Sequence, residues 1–203
     1  MNEFDNKASS WDANPMHLER SKAIAQSLKE MVPLHGKMNV MEFGAGTGLL
    51  SLELHEIFTS VVLIDNSKEM VKLIQDKIIS RNIQNMAAYR VDLEHEEFSG
   101  SFDLIYTQMV FHHVADIDGI LQKFHSMLNP GGYLAIADLY PEDGSFHDPD
   151  FTGHRGFAVD RLAETVAKHG YTEIAHKQCF VIRKPGKGSA IMEYPVFLMT
   201  ARA

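Results

Sequence analysis

Cys179 is the only cysteine in the chain, so an internal disulfide is excluded and a reducing compartment is the setting it suits. Lysine- and arginine-rich runs are missing as well, and the net charge is −8. These argue against a large nucleic-acid surface while leaving room for a small local patch, and no nucleic-acid partner is expected. No apolar run approaches the ~20 residues of a membrane span, and the polar first residues lack the apolar core of a signal peptide. The expectation is a cytoplasmic protein without membrane contact. Tryptophan occurs once, at Trp11, and there are no internal repeats or low-complexity tracts. What the chain does have is 203 residues with 45% hydrophobic content, enough for one α/β domain and too few for two of ordinary size. It also has eleven histidines, which thicken between residues 112 and 176.

The stretch around which the rest is organised is Val40-Met41-Glu42-Phe43-Gly44-Ala45-Gly46-Thr47-Gly48-Leu49-Leu50-Ser51. An apolar run reaches an acid, then three alternate glycines, then an apolar helical pattern. This predicts a buried strand, a tight turn and the first turn of a helix. Glycine serves where φ is positive or where a ligand comes too close for a Cβ. The following helix offers unpaired N–H groups to whatever the turn cradles. The spacing is G-x-G-x-G, whereas the dinucleotide fingerprint would need glycine or alanine at Leu49. No Gly-Lys-Ser/Thr follows, which argues against a phosphate loop.

In chain order, residues 1–14 are polar, with Phe4 and Trp11 as large anchors. A helix is predicted from Pro15 to about Val32, stopped by Pro33. Strand one spans Asn39 to Phe43, and the helix after the glycines carries Leu50, Leu54 and Ile57. Strand two, Val61 to Ile64, is a continuous apolar run of the kind buried on both faces. Ser67 is a candidate N-cap for a helix bearing Met70, Leu73, Ile74 and Ile78. Strand three runs from Met86 to Val91 and strand four from Phe102 to Thr107. The stripe Ile117, Ile120, Leu121, Phe124, Leu128 predicts a helix stopped by Asn129-Pro130-Gly131-Gly132. Strand five is Tyr133 to Leu139. Residues 140–157 read as a long loop, a feature that in compact domains is functional or disordered. A helix with Val159, Leu162 and Val166 and two strands near 171–182 and 190–200 complete the chain.

Strands alternating with helices imply a parallel sheet covered on both faces, with ligands at the carboxyl ends of the strands. Glu42, Asp65 and Asp92 end strands one, two and three on that edge. Asp65 follows Gly48 by 17 residues, a distance that suits a carboxylate taking two ribose hydroxyls. A helix cap or a surface charge is the plainer alternative for Asp65. His112-His113 sits where strand four opens into the next helix and could supply a base, a substrate ligand or a cap. His147, Asp148, Asp150 and His154 could in principle hold a divalent ion, but their spacing matches no metal signature, so no metal is expected. A substrate-facing loop is the preferred reading of that segment, with Asp138 and Tyr140 facing the same pocket and Trp11 closing it from the opposite side. Cys179, among Phe180, Val181 and Ile182, reads as a buried small hydrophobe.

These motifs together resemble the class I S-adenosylmethionine-dependent methyltransferases of the small-molecule, quinone-biosynthesis-like type. The likeness rests on E-x-G-x-G-x-G at 42–48, Asp65, Val91-Asp92-Leu93 and Asn129-Pro130-Gly131-Gly132, and covers about residues 35–140. It implies a seven-stranded Rossmann-like sheet, mostly parallel with the last strand antiparallel, and S-adenosylmethionine as cofactor. It further implies that the Gly44, Ala45, Gly46 and Gly48 backbone approaches the methionine part, with Glu42 near its amino group. Asp65 then binds the ribose, Asn66 lies beside the adenine, Asp92 and Leu93 meet the adenine edge, and Gln108 lines the transfer site. The resembling enzymes often carry His-His-Val at the place of His112 and His113 without using it as a base. The implied division is one domain over residues 1–203: an N-terminal cap segment and helix (1–35), a cofactor-binding core (36–139), a substrate-side loop (140–157) and a C-terminal helix and strands (158–203). The expected partner is a small-molecule acceptor. A non-catalytic binding module and a nicotinamide-dependent oxidoreductase are the competing readings, and oligomeric state is not legible.

Overall fold

A computed structural model describes residues 4–186 and 190–203. Residues 1–3 of the expected cap segment lie outside it. Seven strands form a single sheet in the order β3-β2-β1-β4-β5-β7-β6. The central strand β1 (Asn39–Phe43) pairs in parallel with β2 (Ser60–Asp65) on one side and β4 (Phe102–Gln108) on the other. Strand β3 (Met86–Arg90) lies outside β2. On the far side come β5 (Leu128–Leu139), parallel to β4, then β7 (Ile191–Arg202) and β6 (Thr172–Pro185). Only β7 runs antiparallel to its neighbours, meeting β5 and β6 in that sense, so the last strand is the reversed one.

The alternation of side chains along each strand divides the core in two. Val40, Leu63 and Leu104 face one layer, where they join Ile24, Leu28, Leu50 and Leu54. Met41, Ile64 and Ile105 face the other, with Ile120, Leu121 and Phe124. Burial on both faces is why the central strands place apolar side chains on both faces rather than at every second position. Helices α2 (Pro15–Met31), α3 (Leu49–Leu54) and α4 (Lys68–Ser80) supply the first layer, and α5 (Ile117–Met127) and α6 (Val159–Lys168) the second. A short helix, α1 (Ala8–Trp11), precedes them.

Their starts follow side-chain chemistry. Asn14 accepts from the Met16 N–H with Pro15 at the first helical position, Ser67 accepts from Met70, and Asp116 from Gly119. Two expected boundaries shift. The helix after the glycine turn ends at Leu54, and Ile57 belongs to a 3₁₀ turn at His55–Ile57. Strand β5 begins at Leu128 rather than Tyr133: Phe102 pairs with Leu128 and Leu104 with Tyr133, so the Asn-Pro-Gly-Gly segment is an irregularity within the strand. Among the described residues no helix is long and apolar enough to cross a membrane.

Gly44 leaves β1 at φ +65°, and a Cβ there would stand 2.4 Å from Cγ2 of Val110. Two costs are thus superposed in Gly44→Ala, the left-handed backbone at about 1–2 kcal/mol and the collision. We expect a lowered melting temperature, and Gly44→Ala/Val110→Ala should lose less stability than the two single changes summed. A strictly additive pair would remove Val110 as the cause.

Candidate functional site

Past β1 the chain turns so that the Gly44 and Ala45 N–H groups donate to the Ile64 carbonyl, at 2.8 and 3.1 Å. The next amide, Gly46 N–H, donates to Oδ2 of Asp65 at 2.7 Å, while the Ser67 N–H donates to Oδ1 at 2.8 Å. Burial, opposed by these two amides and aided by the charge of Asp5, raises the Asp65 pKa to about 6. A Cβ on Gly46 would meet nothing within 4 Å. Space has been left there. Gly48 takes φ +77° as the residue before α3, and behind it Glu42 is fully buried. One Glu42 oxygen accepts from the Ser51 backbone N–H and hydroxyl, the other has no partner, and the Ser51 hydroxyl also meets the Tyr106 hydroxyl at 2.6 Å. Burial raises Glu42 to about 8.

A cavity of about 320 Å³ opens at these strand ends, within the range of small-molecule sites. The glycine turn, Asp65, Asn66, Asp92 and Leu93 line one end. Residues 4–14 cover it and are tied down twice. Asp5 accepts from the Ser67 hydroxyl at 2.6 Å, and Asp12 accepts from Thr47 at 2.6 Å and from Lys77 at 2.5 Å. This brings Phe4, Lys7 and Trp11 onto the wall, with the Trp11 ring 4.3 Å from that of His17. Arg20 and Gln108 add to the wall, and Ser21, next to Arg20 on α2, donates to Gln108 at 3.1 Å. Arg20 is 5% exposed, and its Nε has no hydrogen-bond partner. Met109, at φ +56°, is strained backbone on the same wall, of the sort found at functional sites.

The opposite end is built of imidazoles. His112 and His113 form a 3₁₀ turn after β4, and His147 comes from the 140–157 loop. Their ligand nitrogens all lie within 4.8 Å of one another. Asp138 is buried behind His112 and accepts from its Nδ1 at 2.7 Å, its backbone N–H at 3.2 Å and the Leu139 N–H at 2.7 Å. His112 is held in one orientation with Nε2 left over. Burial, reinforced by neighbouring imidazole charge, lowers His113 to about 3 and His147 to about 4. Phe151 stacks on His147 at 3.8 Å.

A methyltransferase-domain family model matches residues 16–181. The chain belongs to this family of methyltransferases. An uncharacterized methyltransferase of Schizosaccharomyces pombe is 33% identical over 118 residues, 54% of this chain and 42% of that protein. A ubiquinone biosynthesis O-methyltransferase of Xanthomonas axonopodis pv. citri is 29% identical over 144 residues, covering 67% and 58%. The chain thus spans about half the length of the curated relatives it matches. A crystal structure of an S-adenosylmethionine-dependent methyltransferase from Aquifex aeolicus superposes with TM-score 0.69 at 21% identity, covering 98% of this chain and 97% of the other, a likeness of fold. The sheet is that of the class I S-adenosylmethionine-dependent methyltransferases.

In this chain Gly44, Ala45, Gly46, Asp65, Asn66, Asp92, Leu93, Gln108, His112, His113, His147 and Trp11 share the cavity wall. Five expected positions lie off the cavity wall. Glu42 and Gly48 lie beneath the turn rather than on the wall. Asp138 is shielded by the ring it orients. Tyr140 packs edge-on against Phe197 at 5.4 Å. His154 faces away, its Nε2 on the Val114 carbonyl at 3.0 Å and its N–H on the His112 carbonyl at 2.8 Å. Of the loop's aromatic face, Phe146 and His147 reach the cavity, whereas Phe157 packs on Phe111. Sequence reasoning missed Lys7, His17, Arg20 and Lys184. Arg20 interrupts the apolar stripe of α2 and was the one legible signal among them.

Glu42 yields a test of sign. Its folded pKa lies above the unfolded value of 4.5, so its stabilising contribution is complete below pH 4.5 and is lost as pH rises through about 8. Thermal melts from pH 6 to pH 9 should show a falling stability that Glu42→Gln flattens, by on the order of 2 kcal/mol at the alkaline end. Parallel profiles for the two proteins would show that Glu42 ionises normally.

Proposed function

We propose that this methyltransferase binds S-adenosylmethionine at the Gly44–Asp92 end of the cavity and methylates a small-molecule acceptor held at the imidazole end. The observation carrying the reading is the Asp65 carboxylate, fixed by two backbone amides beside a glycine whose Cβ side is empty. The residues present fit the cofactor. Asp65 is placed to accept two ribose hydroxyls, Asn66, Asp92 and Leu93 to flank the adenine, and the open face of Gly46 to admit the methionine part. The unpartnered Nε of the buried Arg20 suits a carboxylate.

When bound, S-adenosylmethionine supplies an already activated methyl group, so the protein's work is positioning and exclusion of water. Phe4 and Trp11 on one side and Phe146 on the other close over the acceptor end. Gln108, anchored by Ser21, stands between the two ends. Relatives named as methyltransferases of a quinone precursor and of a carrier-bound malonyl group support a small acceptor, and they also differ enough to leave its identity to a screen. Formation of S-adenosylhomocysteine with any member of an acceptor library tests the reading. A protein that binds the cofactor and turns over none of them would instead be a binding module.

Asp65→Asn should weaken S-adenosylhomocysteine binding at pH 7 by about 1.5–3 kcal/mol, the worth of hydrogen bonds to a charged group. Because the carboxylate form prevails only above about pH 6, affinity of the parent should fall between pH 7 and pH 5, and the variant should lose that dependence. Calorimetry with equal affinities for parent and variant would remove Asp65 from the site.

Arg20→Met separates binding from stability in a different way. Replacing a buried guanidinium, whose desolvation outweighs the charge of Asp138, by an apolar chain should leave the melting temperature equal or higher, while affinity for S-adenosylhomocysteine drops about tenfold or more. A lowered melting temperature with unchanged affinity would make Arg20 structural.

A further inference from the structure

The geometry points to a metal site in the acceptor end: His112, His113 and His147 form a three-imidazole cradle for one zinc-like divalent ion with an open position toward the cavity. This inference rests on the proposed function and deepens it, since the ion would sit where the acceptor is held.

Four observations carry it. The three residues are the described group whose ligand atoms converge, all within 4.8 Å, and modest side-chain rotation brings such a set to the separations of a first coordination shell. Nδ1 of His147 is buried and has no hydrogen-bond partner, a state that costs free energy unless something binds it. Asp138 accepts from Nδ1 of His112, which fixes the tautomer and leaves Nε2 as the donor atom. Carboxylate–histidine pairs of this kind support metal-ligating imidazoles from behind. Finally, the cradle is rigid on two sides, with Phe151 stacked on His147 and 5.2 Å from His113.

The ligand chemistry selects the ion. Three nitrogens and no carboxylate in the first shell suit zinc, cobalt, nickel or copper and disfavour magnesium or calcium. Lys7 and Lys184, on the same wall, oppose a dication, and the buried Asp138 charge offsets them in part. Three protein ligands with a fourth position open is the arrangement of catalytic rather than structural zinc. It suits an acceptor bearing a hydroxyl or thiol: the O–H or S–H bond would break with its electron pair staying on the oxygen or sulfur, where the ion would stabilise it, and the proton would leave to water. The sequence hides this site because two ligands lie at the end of β4 and the third follows β5, with no short spacing to read.

The test uses chelator-treated full-length protein, with zinc titrated by calorimetry and cobalt followed by its visible absorption. We expect one equivalent bound, intense cobalt bands of a four- or five-coordinate site, and a raised melting temperature with zinc. His113→Ala and His147→Ala should each weaken zinc at least 100-fold, and Asp138→Asn by about 10–100-fold. His147 sits on a loop, so its variant tests the site even where Asp138→Asn fails to fold. Zinc affinity in His147→Ala equal to the parent's would assign the metal to other histidines and overturn the proposal. So would a parent that binds no zinc at millimolar concentration. S-adenosylhomocysteine affinity, measured on the same samples, reports separately on the cofactor: its absence sinks the proposed function without touching the zinc result.

Discussion

The site depends on one arrangement, a carboxylate at the end of β2 held by amides from two neighbouring elements. Asp65 takes the Gly46 N–H from the β1 turn with one oxygen and the Ser67 N–H from the start of α4 with the other. Two segments that meet only at this edge of the sheet are thereby fixed to each other. The same charge is expensive to bury, and its pKa rises accordingly to about 6. A side chain that costs stability yet is held by two backbone donors is preorganised for a ligand rather than for the fold. The glycines follow from it. Gly44 must turn without striking Val110, and Gly46 must bring its amide to Asp65 while leaving its other side open.

A second buried carboxylate shapes the opposite end. Asp138 lies one pleat from the cavity and spends all three of its contacts on His112 and the adjoining backbone. The two acids differ in what they offer. Asp65 faces the space itself, whereas Asp138 works through a ring, fixing its orientation and leaving Nε2 free of the carboxylate. The result is a polarity along the cavity, from acids at the Gly44–Asp92 end to imidazoles and cations at the other. In a chain of net charge −8, cations gathered on one wall are a local feature of that wall.

How much of this was legible follows from where each signal lies in the chain. The central strands announce themselves as runs with apolar side chains on both faces because both faces are buried, and Ser67 was readable as a cap because its role is local. The glycine turn and the three strand-end acids were legible for the same reason. Cofactor-side positions sit at the ends of consecutive strands, so order along the chain becomes order along the edge. The acceptor end obeys no such rule. His17 and Lys184 reach it from α2 and β6, far apart in sequence, and Asp5 and Asp12 fasten the N-terminal segment by contacts that leave no periodic trace. Glu42 was misplaced for an instructive reason. A strand-end acid beside a glycine turn looks like a ligand contact, but strand alternation sends its side chain under the turn, to Ser51.

The 140–157 loop shows how a segment can hold several roles at adjacent residues. Phe146 and His147 point into the cavity, while His154, seven positions on, ties its ring to the Val114 carbonyl and its N–H to the His112 carbonyl. The second pair of bonds is what places the first. By gripping both ends of the turn that carries His112 and His113, His154 holds the loop in register against that turn, and His147 meets the other two imidazoles across the gap. A residue expected to face the acceptor thus contributes from outside, by fixing the backbone on which the facing residues stand. Positions of that kind carry no chemistry a sequence can display, since an imidazole reads the same whether it meets a ligand or a carbonyl.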